Sequence, residues 1–84
     1  MYKLVHSSNA KRDTQHLECQ TFLRIDDAIN ALKENPYPYP QSKKLVASKI
    51  RRLRVGDYRI FYTVDDDDEK IVTILHVYHR RDAY

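Results

Sequence analysis

"RRLRVGDYRIFYTV", residues 51–64, is the stretch whose reading decides the fold. On either side of Gly56-Asp57 apolar residues alternate with charged or polar ones, the period-two signature of half-buried strands. Gly56 is the only glycine in the chain, and a glycine opening a two-residue loop between such runs marks a β-hairpin. Folding back about that turn sets Val55 against Tyr58, Arg54 against Arg59, Leu53 against Ile60 and Arg52 against Phe61. Side chains alternate across a sheet. One face therefore carries Leu53, Val55, Tyr58 and Ile60, and the other carries Arg52, Arg54, Arg59 and Phe61.

Like charges directly opposite on a sheet are destabilising. Two unit charges roughly 5 Å apart repel by about 3 kcal/mol at an effective dielectric of about 20, and by under about 1 kcal/mol in bulk water. Exposed arginines tolerate that by splaying, so the pair by itself is compatible with a solvated sheet face. Guanidinium groups also make planar, bidentate contacts to phosphate, and an interleaved aromatic ring offers a platform for an unpaired base. The arginine face thus points to a phosphate or nucleic-acid partner.

Downstream, "IVTILHVY" (71–78) is a third strand, apolar on both sides near its start as befits a strand inside a sheet. The intervening "DDDDEK" (65–70) lacks the spaced ligands and glycine of a calcium loop and reads as a solvated turn. If Asp65 meets Lys70, Arg59 faces His76, and Tyr78 and Arg80 follow on the same side. Upstream, "NPYPYP" (35–40) fits neither a helix interior nor a central strand and is a stiff connector. Before it, Phe22, Ile25, Ile29 and Leu32 recur at helical spacing with Ala28 beside them, predicting a helix from a Thr21 cap to a stop at Asn35. Residues 9–20 form a weaker stripe of Ala10, Thr14 and Leu17, with Ser7 or Ser8 as cap, and "YKLVH" (2–6) is a short strand. The expected fold is α+β. It is a single small domain over 1–84: an N-terminal strand, two helices, then a three-stranded antiparallel sheet packed on the helices.

The chain has 84 residues, of which 42% are hydrophobic and 32% charged. That is the balance of a globular domain rather than a disordered chain. Cys19 is alone, which rules out an intrachain disulfide or a cysteine zinc site and favours a reducing, cytoplasmic setting. There is no apolar run of about 18 residues to span a membrane, and "MYKLVHSSNAKRD" has no secretory apolar region. The net charge of +3 conceals an uneven distribution. Lys43, Lys44, Lys49, Arg51, Arg52, Arg54 and Arg59 share their stretch with one acid, Asp57, whereas five of the twelve acids lie between Asp65 and Glu69. A concentrated basic region is the usual footprint of a polyanion partner. Lys44, Lys49 and Arg81 are expected to extend the RNA-contacting surface formed by Arg52, Arg54 and Phe61.

The ending "HVYHRRDAY" adds His76 and His79, the groups whose ordinary pKa lies nearest neutrality. His79 adjoins Arg80 and a basic face, where a phosphate would favour its acid form. The four histidines show no metal-ligand spacing, and no cofactor is expected.

"ENPYPYPQSKKL", "RLRVGDYRIFY" and "VYHRRDAY" together resemble the RelE/ParE toxin superfamily, in its RelE-type branch. The resemblance covers residues 34–84 closely and the first half in layout only. It implies a toxin of a type II toxin–antitoxin pair, with a cognate antitoxin as partner, that cleaves messenger RNA in the ribosomal A site without metal. Such cleavage proceeds by attack of the ribose 2′-OH on the adjacent phosphate. It needs an activated nucleophile, a stabilised phosphate and a protonated leaving oxygen. By resemblance, Arg59 and Arg80 hold the scissile phosphate, Arg54 and Arg52 position the RNA, and Tyr84 stacks on or orients the nucleotide. His79 is the candidate general acid, with Arg80 as runner-up. Some relatives use an acidic residue near the first strand as base; no acid stands at that position here, so the general base is unassigned, and arginine hardly deprotonates in proteins. The alternatives are a ParE-like gyrase inhibitor and a non-catalytic RNA- or phosphate-binding module.

Overall fold

The computed structural model describes residues 1–67 and 69–82. In chain order the elements are β1 (Lys3–His6), α1 (Ser8–Thr14), α2 (Cys19–Ala31), β2 (Ser42–Lys44), β3 (Arg51–Val55), β4 (Tyr58–Asp65) and β5 (Ile71–His79), followed by a 3₁₀ turn, Arg80–Asp82. The strands form one five-stranded sheet in the order β1-β5-β4-β3-β2. β1 runs parallel to β5 and every other pair is antiparallel. The architecture is α+β, as expected, with the N-terminal strand joined to the sheet and one strand more than anticipated.

The hairpin pairs as its alternation requires, with Val55 opposite Tyr58, Arg54 opposite Arg59, Leu53 opposite Ile60 and Arg52 opposite Phe61. Gly56 has a φ of 56°, in the left-handed region where a Cβ is unfavourable. The covered side of the sheet carries Leu53, Ile60, Tyr62, Val72, Ile74 and Val77, buried against Ala10, Ile25, Ile29 and Leu32 of the helical layer. Each fully buried aliphatic side chain there contributes roughly 1.5–3 kcal/mol relative to exposure.

Ser7 is the α1 cap. Its Oγ accepts from the Ala10 amide at 3.0 Å while its hydroxyl donates to the Leu75 carbonyl at 2.7 Å. One side chain thus starts the helix and pins it to β5. Helix α1 is shorter than the predicted 9–20 and buries only Ala10, consistent with its weak stripe. Helix α2 begins at Cys19 after Glu18, earlier than the Thr21 cap, and ends at Ala31. A tight turn then carries Leu32 through Asn35. Phe22 does not join Ile25 and Ile29 in the core. It is 40% exposed and borders a depression shared with Lys11 and Thr14 of α1.

The β4–β5 register differs from expectation. Asp65 pairs with Ile71 rather than Lys70, and a bulge opposite Phe61/Tyr62 absorbs one extra residue of β5. Arg59 consequently faces Tyr78, and Phe61 faces His76. The net slip at that end is two residues, so His76 and Tyr78 keep the expected face. The bulge lets Val72, Ile74 and Val77 all point into the core, which strict alternation forbids.

β2 is the strand that periodicity missed. Ser42 lies opposite Leu53 and Lys43 opposite Arg52. A relay fixes it: Arg51 Nε donates to Ser42 Oγ at 2.9 Å, the Ser42 hydroxyl meets Tyr62 Oη at 2.5 Å, and the Tyr62 hydroxyl donates to the Pro36 carbonyl at 2.7 Å. The Arg51 guanidinium also lies over the Tyr37 ring, 4.9 Å from its centroid, a cation–π contact. The proline-rich connector is therefore tied to the sheet by side chains. Among the described residues, no helix is long and apolar enough to cross a membrane.

Candidate nucleic-acid interface

The side of the sheet away from the helical layer is set by the strand registers. Across β2, β3, β4 and β5 run Lys43, Arg52, Phe61 and His76 in one row, and Arg54, Arg59 and Tyr78 in the next. Pro40, Gln41, Lys43, Arg52, Arg54 and Arg59 line a depression of about 90 Å³. Four of these six residues are cations and none is acidic.

The apparent conflict between Arg54 and Arg59 is resolved by unequal placement. Arg59 is 8% exposed, and its Nη1 donates to the carbonyls of Gly56 and Tyr58, both at 2.9 Å. Its guanidinium is thus bent toward the hairpin turn, among carbonyl dipoles that offset its desolvation. Arg54 is exposed.

Arg80 approaches the same turn from β5. Its amide donates to the Asp57 carbonyl at 2.7 Å, and its Nε lies 3.9 Å from Asp57 Oδ1, with both side chains largely exposed. Arg59 and Arg80 therefore converge on Gly56-Asp57, although Arg80 does not line the depression. Phe61 meets the Tyr78 ring edge-on at 5.9 Å between centroids.

Several expected residues lie elsewhere. His79 is on the helix side of the sheet, edge-on to Tyr58 at 5.3 Å, because it shares the strand parity of Val77. The expectation that it flanks the arginine face is corrected accordingly. Lys44 and Lys49 border a separate depression with Tyr37, Arg51 and Val64, and it is Lys43 that pairs with Arg52. Arg81 is exposed in the 3₁₀ turn, with its amide 3.4 Å from His79 Nδ1. Tyr84 lies outside the described residues.

One cluster on this face joins His76 and Tyr78, both expected there, to Asp13, which the sequence does not place at the site. His76 Nδ1 lies 3.3 Å from Asp13 Oδ2 and 2.9 Å from the Tyr78 hydroxyl, and the two rings stack at 4.8 Å. The same Asp13 oxygen accepts from the Val77 amide at 3.0 Å. β1 pairs with β5 only as far as Ile74, so beyond that point the edge of β5 is available to a side chain from α1. Asp13 and His76 are far apart in the chain, and no local pattern announces the contact.

The resolved pKa shifts fall at another part of the sheet. Asp66 in the acidic loop accepts hydrogen bonds from the hydroxyls of Tyr2 and Tyr37. The Tyr2 hydroxyl, and then that of Tyr37, hold the Asp66 carboxyl below its ordinary value. Partial burial, and then the Asp66 hydrogen bond, push the Tyr37 phenol up to about 12. Asp66 thus latches this loop to Tyr2, just before β1, and to the connector. Among the described residues, no group of three or more His, Cys, Asp or Glu side chains is placed to hold a metal ion.

Comparison with known proteins agrees with this geometry. The toxin–antitoxin complex RelBE2 from Mycobacterium tuberculosis contains a chain 26% identical over 94% of this chain and 98% of its own, with a TM-score of 0.79. The archaeal RelE–RelB complex from Pyrococcus horikoshii gives 25% identity, 94% coverage of each chain and a TM-score of 0.83. YafQ from Escherichia coli shares the fold at 15% identity, covering 100% of this chain and 99% of its own, with a TM-score of 0.77. No curated protein sequence matches significantly. A family model described as "ParE toxin of type II toxin-antitoxin system, parDE" matches residues 5–84. With nearly its whole length matched, the chain belongs to this toxin family of the RelE/ParE superfamily.

Proposed function

We propose that this toxin is a metal-independent endoribonuclease that cuts messenger RNA in the ribosomal A site. The observation that carries the reading is the depression on the side of the sheet away from the helices, which Lys43, Arg52, Arg54 and Arg59 line together, with Phe61 alongside in the Arg52 row. Fixed cations at a phosphate stabilise the charge that develops as a fifth oxygen bonds to phosphorus. Arg59 supplies a preorganised charge, and Arg54 and Arg52 position the strand. Arg80 reaches the phosphate from the hairpin end, and Arg81, Lys44 and Lys49 contribute long-range attraction. Tyr84 is retained as a nucleotide-orienting residue. Phe61 and Tyr78 offer ring surface to an unstacked base. The site needs no cofactor, and its setting is cytoplasmic, where ribosomes are.

The partner that restrains it is an antitoxin of acidic character that occupies the arginine face, in keeping with the RelB-bound neighbours. A second reading, gyrase inhibition, is favoured by the ParE description of the matching family. Primer extension on messages in a translating extract, run beside a gyrase supercoiling assay, distinguishes the two. Codon-phased cuts that require ribosomes are expected, together with unimpaired supercoiling. Intact messages with poisoned gyrase refute the nuclease. Arg54→Ala and Arg59→Lys are expected to lower the cleavage rate about 10²-fold, the scale of losing one transition-state donor.

A further inference from the structure

We propose that His76 is the general base of the cleavage reaction and that Asp13 is its positioning residue. The proposal rests on the endoribonuclease reading above and supplies the proton acceptor that the arginines cannot provide. Nδ1 of His76 faces the Asp13 carboxylate at 3.3 Å. An unprotonated Nδ1 would turn its lone pair toward a negative oxygen, whereas a protonated one donates to it. The carboxylate therefore favours the Nδ1–H form, with the Tyr78 hydroxyl oxygen, 2.9 Å from the same nitrogen, as a second acceptor, and leaves Nε2 as the basic nitrogen. Among the described residues Nε2 has no hydrogen-bond partner, and the side chain is 34% exposed.

Asp13 is held in place independently of His76. Its Oδ2 also accepts from the Val77 amide, and its side chain is 20% exposed. The imidazole is held on its other side by the Tyr78 ring, stacked at 17°. From α1 the imidazole meets Asp13; from its own strand, Tyr78; and from β4, Phe61, with Arg59 beyond it opposite Tyr78. His76 is the diagonal cross-strand neighbour of Arg59, their strand positions about 7–8 Å apart, and it shares its row with Phe61, Arg52 and Lys43. A phosphate at the arginines and the adjoining ribose can bridge that span.

The step balances as follows. Nε2 takes the 2′-hydroxyl proton as the 2′-oxygen bonds to phosphorus. The bond from phosphorus to the 5′-oxygen breaks, leaving a 2′,3′-cyclic phosphate. The departing 5′-oxygen takes a proton from solvent water on this exposed face, and the imidazolium returns its proton to the hydroxide formed. Asp13, itself held by the Val77 amide, keeps the imidazole in place throughout.

The test is single-turnover primer extension with the purified full chain on ribosomes programmed with a defined message, repeated across pH. The wild type is expected to lose rate on the acid side as a single histidine protonates. His76→Gln is expected to lose about 10²–10⁴-fold with its unfolding temperature kept, the range for a general base, and added imidazole is expected to rescue His76→Gly in part. Asp13→Asn frees the imidazole to turn, so the cleavage rate at saturating toxin is expected to fall while the half-saturating toxin concentration is unchanged, and Asp13→Glu restores part of the rate. His76→Gln cutting at the wild-type rate overturns the proposal while leaving the nuclease reading intact, as does a wild-type rate that does not fall on the acid side. A wild-type chain that leaves the message whole overturns both.

Discussion

At the scale of single residues, the facing arginines show how a sheet accommodates like charges. Arg59 gives up water for two backbone carbonyls at the turn, and Arg54 keeps its hydration. Tyr62 is the counterpart on the covered side, where a buried hydroxyl joins Ser42 to the Pro36 carbonyl. Tyr62→Phe keeps the packing but orphans a buried acceptor, so an unfolding free energy lower by about 1–3 kcal/mol is expected in urea titration. Asp66 makes stability depend on pH in both directions. Its carboxyl is depressed below the ordinary 3.8, so its contribution is full above that value and is lost as pH falls toward the folded-state value. Tyr37 is raised from 10.0 to about 12. Its contribution is therefore full below its ordinary value and is lost as pH rises toward the folded-state one. In thermal unfolding across pH, Asp66→Asn is expected to flatten the acid fall and, because that carboxylate helps raise Tyr37, to weaken the alkaline one.

At the scale of elements, the hairpin and the first helix each depend on one small residue. Gly56→Ala forces a Cβ into a φ of +56° and brings it to 3.2 Å from the Arg24 side chain of α2. The guanidinium can move aside, so the backbone term dominates, at about 1–2 kcal/mol. For a domain of this size that corresponds to a fall of roughly 5–15 °C in the unfolding temperature. Ser7→Ala removes both the α1 cap and the tie to Leu75, with an expected loss of at least about 1 kcal/mol. Its consequence for function is indirect. Loosening α1 displaces Asp13, so cleavage is expected to fall further than the lost stability alone would produce.

At the scale of the whole molecule, the sheet separates two tasks. The side under the helices holds the core, and the other side gathers Lys43, Arg52, Arg54 and Arg59 while the acidic loop is latched by Tyr2 and Tyr37. A net charge of +3 is thus the sum of a cationic face and an anionic tip, and partners respond to the face. Affinity for a short single-stranded RNA should fall log-linearly with salt, with a slope of about 0.7 per phosphate neutralised. Arg54→Ala should shrink that slope by about one contact's worth, measurable by fluorescence anisotropy at several salt concentrations.

The hairpin, its register and its two faces were determined by the sequence alone. The signals that carry them are local: one glycine, a two-residue turn and strict alternation on either side. The helix stripe of Ile25, Ile29 and Leu32 was legible for the same reason. β2 was not, because so short a strand carries no period and "SKK" pairs only where Tyr62 and Arg51 hold Ser42. The β4–β5 register was missed because the long acidic loop constrains pairing weakly, and the bulge that resolves it answers to core packing. His79 was placed with the arginines by proximity in the chain, whereas strand parity puts it on the other side. Only the tertiary structure brings Asp13 to His76, because that contact exists where β1 stops and α1 crosses the exposed edge of β5. Chain alternation sets which residues share a face. Which group stands beside which, between opposite ends of the chain, depends on how separate elements pack.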